Sequence, residues 1–70
     1  MKALMEATLN GKPYRLVTDD DGVTAVWCDA AGVDVCPPWR REDFPSEEQC
    51  IARLRDHVHT ERPVNYRVIS

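Results

Sequence analysis

Apolar and polar residues alternate through the first half of the chain, then switch to a helical spacing. In KALMEATL, Ala3, Met5, Ala7 and Leu9 share one face at period two, which predicts a half-buried strand. Asn10-Gly11 follows, a pair that tolerates the positive φ needed at both centres of a tight hairpin turn. PYRLVT then sets Tyr14 and Leu16 on one side and Arg15 and Val17 on the other, with Pro13 at the strand start. The run Asp19-Asp20-Asp21-Gly22 reads as a second turn. VTAVWCDA resumes the alternation, with Val23, Ala25 and Trp27 on one face and Val26 and Cys28 on the other. A loop with Gly32 at its left-handed position leads into VDVC, which predicts a fourth strand with Val33 and Val35 inward.

After Pro37-Pro38 the period changes. Ser46 followed by Gln49 is a capping box, in which each side chain satisfies one orphan N–H of the other's backbone. Cys50, Ile51, Leu54 and Val58 form one apolar stripe, while Glu48, Ala52, Arg55 and Asp56 face water. Glu47 and Glu48 suit the positive end of the helix dipole, and His57 and His59 the negative end. Pro63 pushes Arg62 out of the helical region and ends the element. VNYRVIS then alternates Val64, Tyr66 and Val68, a fifth strand. The expected fold is a single small α+β domain over residues 1–70 in the order ββββαβ, a mainly antiparallel sheet with one helix packed on one face.

Composition narrows the class. The chain is 43% hydrophobic and 30% charged, with the apolar residues spread throughout, which argues against disorder. A net charge of −3 weighs against a general nucleic-acid binder, which carries a basic footprint. MKALMEATLNGK lacks the apolar core of a signal peptide, and no run is long enough for a membrane span. Cys28, Cys36 and Cys50 leave at least one thiol unpaired within the chain, which fits a reducing cytoplasm better than a disulfide framework.

Catalytic chemistry finds no constellation. Cys50 sits on the buried stripe, and His57 lies about 10 Å further along the helix, beyond hydrogen-bond reach. The cysteine spacings do not match zinc knuckles or ribbons, and His57 and His59 diverge by about 200° on a helix. The contiguous acids at 19–21 cannot all reach one ion, because neighbours in an extended chain point to opposite faces. The expectation is a protein without catalytic residues, metal or cofactor.

The stretch PPWRRED carries the remaining signal. Trp39 lies in a polar loop behind two stiffening prolines, followed by Arg40 and Arg41. Trp and Arg dominate interface hot spots, and a rigid loop loses less entropy on binding. Two readings stand side by side. Either Trp39 anchors a contact surface over residues 37–43 with Arg40 and Arg41 as orienting charges, or it folds back as a lid while the arginines pair with nearby acids. Under the first, a protein partner, a second copy of the chain included, ranks above nucleic acid, where Trp39 would stack on a base. Sheet edges at the first or last strand offer a further pairing surface.

Over residues 12–59, three or four strands followed by a helix introduced as FPSEEQ resembles, in outline, the strand-rich DNA-binding modules at the amino ends of phage integrases. That resemblance implies a basic sheet face. Glu6, Asp29 and Asp34 on the strands depart from it, and the same pattern recurs in many small unrelated domains.

Overall fold

A computed structural model describes residues 2–59 and 64–69. The strands are β1 (Lys2–Leu9), β2 (Lys12–Thr18), β3 (Thr24–Asp29), β4 (Trp39–Arg40) and β5 (Asn65–Val68). A short 3-10 turn (Arg41–Asp43) and the helix α1 (Glu47–Val58) separate β4 from β5. The five strands make one antiparallel sheet in the order β4-β3-β2-β1-β5, so the domain is the expected small α+β fold.

The local signals act as their chemistry requires. Asn10 and Gly11 adopt φ of 53° and 77°, and the turn sets Leu9 opposite Lys12. The capping box at Ser46 is complete, with the Gln49 N–H donating to Ser46 Oγ and the Ser46 N–H donating to Gln49 Oε1. α1 buries Cys50, Ile51 and Leu54 and leaves Val58 half-buried, so the expected stripe faces the sheet. The helix-ending role expected for Pro63 lies outside the described residues.

Two strand expectations need correction. β1 does not alternate cleanly: between Ala3 (opposite Val17) and Met5 (opposite Leu16) the register shifts. Leu4 is the extra residue of this bulge, and both Leu4 and Met5 are buried while Ala3 is half-buried. The fourth strand is not VDVC. That segment makes only a single bridge, Asp34 opposite Cys28, and leaves Val33 exposed. The Asp29 carboxylate accepts the N–H groups of Ala31 and Val33 and closes the loop on itself. Between Asp34 and Trp39 the chain advances five residues, while β3 advances three from Ala25 to Cys28. Pro37 and Pro38 lie in that interval; neither has an N–H for the ladder, so pairing resumes only at Trp39.

The core lies between the sheet's inner face and α1. Met5, Ala7, Leu9, Tyr14, Leu16, Ala25 and Trp27 are buried there against Cys50, Ile51 and Leu54. Trp27 is wholly buried, and its indole N–H donates to the Cys50 carbonyl at 3.0 Å. One side chain thus fills the centre of the core and ties the helix to the third strand.

Candidate binding surface

The Trp39-Arg40-Arg41 triplet is divided among three directions. In β4 Trp39 sits opposite Ala25, a small inward-facing residue, so its side chain enters the inner layer and is only 8% exposed. The Arg53 guanidinium lies over its ring at 4.0 Å from the centroid, and the Phe44 ring packs at 6.1 Å with a 56° tilt. Arg53 Nη1 also donates to the Pro37 carbonyl at 3.4 Å, which holds the clamp to the proline segment. Of the two readings of Trp39, its burial fits the second: the indole is a lid on the open end of the core. Strand alternation decides this, because a residue paired with Ala25 must point where Ala25 points.

Arg40 and Arg41 remain exposed. Arg40 alternates to the outer face and pairs with Glu42 at 3.4 Å. Arg41 donates its backbone N–H to the Val23 carbonyl and rests its guanidinium 4.9 Å from the Phe44 centroid. Nothing converges the three side chains on one patch.

The opposite edge of the sheet is different. β5 pairs with β1 on one side, and its other side meets no strand among the described residues. In an antiparallel strand both polar backbone groups of a residue point the same way, and successive residues alternate. Ile69 donates its N–H to the Leu4 carbonyl at 2.8 Å, so Ile69, Arg67 and Asn65 address β1. The backbone groups of Tyr66 and Val68 consequently address the open side. Their side chains share the inner face with Ala7 and Met5, and are 42% and 45% exposed. On the outer face Arg67 locks β5 in place, reaching Glu6 at 2.9 and 3.1 Å, while Arg15 approaches the same carboxyl at 3.7 Å from the other side.

The three thiols are free and buried. Cys28 lies on the outer face, where its Sγ donates to Asp34 Oδ1 at 3.4 Å beside a shallow cleft of about 330 Å³, whereas Cys36 and Cys50 belong to the core. Burial, reinforced by Asp34, pushes the Cys28 thiol up to about 11. Burial also pushes Cys36 up to about 11 against the opposing charge of Arg53, and raises Cys50. A thiol with a raised value is held protonated by folding. The unfolded chain ionises it near 9.0, so this stabilisation is complete below that pH and disappears as pH climbs through about 11. We expect the urea midpoint to fall across that window and the native thiols to resist iodoacetamide at about pH 8. Rapid alkylation of the folded protein would show that a thiolate is available. Among the described residues, no group of three or more His, Cys, Asp or Glu side chains is placed to hold a metal ion.

Comparisons with protein-family models, curated proteins and solved structures find no match to this chain.

Proposed function

We propose that this chain is a non-enzymatic protein-binding module that takes its partner as an added strand on the open edge of β5. The observation that carries this reading is the edge itself: backbone groups of Tyr66 and Val68 that no strand among the described residues shares, beside their half-exposed apolar side chains. Main-chain hydrogen bonds would supply affinity and the inner-face side chains would supply selectivity. The other edge is poorly suited to this use. β4 has two residues, follows two prolines and runs directly into a 3-10 turn, all of which blunt an edge. Arg40 and Arg41 then serve the surface as solvating charge at the far side of the sheet.

Nucleic acid ranks second. The outer face carries Arg15, Arg40 and Arg67, but Glu6 engages two of these and Glu42 the third, against a net charge of −3. A photo-cross-linking amino acid at position 66, compared with one at position 40, tests the proposal in cells expressing the protein. Protein adducts from position 66 and none from position 40 are expected. Adducts from position 40 alone would return the contact surface to the loop 37–43, and silence at both would overturn the proposal.

A further inference from the structure

We infer that the strand added to β5 is β5 of a second copy of this chain, paired antiparallel about Tyr66. The inference rests on the edge reading above and names its partner. Self-pairing about a two-fold axis must bring outward-pointing residues of one copy opposite outward-pointing residues of the other, which leaves few registers. Centred on Tyr66, the pairing sets Tyr66 opposite its own copy and Val64 opposite Val68 on the inner face. Both are favourable apolar or aromatic cross-strand pairs. On the outer face Asn65 falls opposite Arg67, a neutral donor and acceptor beside a guanidinium already engaged by Glu6.

The next register, centred on Arg67, is excluded by charge. It places Arg67 opposite Arg67 in the closer of the two antiparallel pair types, about 4.5 Å between Cα atoms, and like charges directly opposite destabilise a ladder. The Tyr66-centred register also uses the half-buried Val64, which already packs against the core, to continue the apolar layer from one copy into the next. Because directly opposed residues of an antiparallel pair project to the same face, the two helices lie on one side of a continuous sheet. The exposed Tyr66 and Val68 side chains fall between them. Arg67, in contact with Glu6 at 2.9 and 3.1 Å, ties β5 to β1 on the face away from the added strand's apolar side chains.

A short edge buries less than the ~1,200 Å² of stable interfaces, so the dimer is expected to be weak and concentration-dependent. Tyr66→Cys and Val68→Cys, each in the full chain with Arg67 retained and treated with diamide, read the register. Only the Tyr66-centred one sets position 66 against its own copy and position 68 four residues away from its own. A hydrogen-bonded pair about 5.5 Å apart accepts a disulfide, and the native thiols are buried and do not compete. We expect Tyr66→Cys to cross-link at least about tenfold faster than Val68→Cys. In the unaltered protein, a mixed isotope-labelled sample should show an intermolecular contact between the Hα protons of Asn65 and Arg67, which face each other closely only in this register. Equal cross-linking at positions 66 and 68, as the Arg67-centred register requires, or faster cross-linking at 68 would overturn it. So would sedimentation as a monomer up to ~1 mM with no intermolecular contact. In that event, adducts from position 66 with a different protein would leave the edge as a binding site and remove only the self-pairing. Silence at position 66 would remove both.

Discussion

Trp39→Ala is expected to cost about 3–5 kcal/mol, the range for removing a large buried aromatic. A domain of this length has a total stability of roughly 3.5–10 kcal/mol, so the substitution consumes a large part of it. The physical reason is that the indole closes the end of the core between β4 and α1, with Arg53 stacked above and Phe44 beside it. Removing it opens a cavity and strips Arg53 of its cation–π partner, a contact worth about 0.5–2 kcal/mol. Urea denaturation followed by far-ultraviolet circular dichroism reads the change directly, and Trp27 remains as the fluorescent reporter. Trp39→Phe keeps an aromatic face for Arg53 and should recover more than half of the loss. An unchanged midpoint for Trp39→Ala would show that the indole does not close the core. The variant would then become the test of an exposed anchor.

Trp39, which the sequence left between anchor and lid, shows where the sequence was legible. Features encoded by neighbours a few residues apart were readable: the Asn10-Gly11 hairpin, the Ser46–Gln49 capping box and the Cys50-Ile51-Leu54 stripe each depend on local chemistry alone. Features fixed by distant pairing were not. Trp39 looks like a loop residue until β3 is known to place Ala25 opposite it, and the guanidinium that covers it comes from a helix face fourteen residues later. Leu4 looks outward by alternation until the bulge turns it inward. The last strand could be read from its alternation, but not its seat beside β1, which makes β1 interior and β5 the open edge. The salt bridge that secures that seat spans Glu6 and Arg67. Neither residue stands out in the sequence, because each is one charged position on an alternating strand. A candidate surface defined by strand order therefore becomes visible only once the order is known.

Trp27 should be the more damaging of the two tryptophans to lose, because it joins two layers rather than closing one end. It has no solvent exposure, and its N–H reaches the Cys50 carbonyl across the helix–sheet interface. Trp27→Ala removes at least the 3–5 kcal/mol of a buried aromatic together with that hydrogen bond, and a cooperative unfolding transition is not expected to survive. Trp27→Phe separates the two contributions. It retains most of the ring but deletes the donor, and because the Cys50 carbonyl keeps its own bond within the helix the loss is the net value of one hydrogen bond, about 0.5–1.5 kcal/mol. The expected order of urea midpoints is therefore wild type, Trp27→Phe, then Trp27→Ala with no measurable transition. Amide exchange gives the mechanism. Trp27→Phe should speed exchange in α1 more than in β1 and β2, since those strands hold each other through their own ladder while α1 depends on packing against the inner face. Uniform acceleration across sheet and helix would mean that the bond does not dock the helix separately. The Cys50 contact would then be one more part of a single cooperative core.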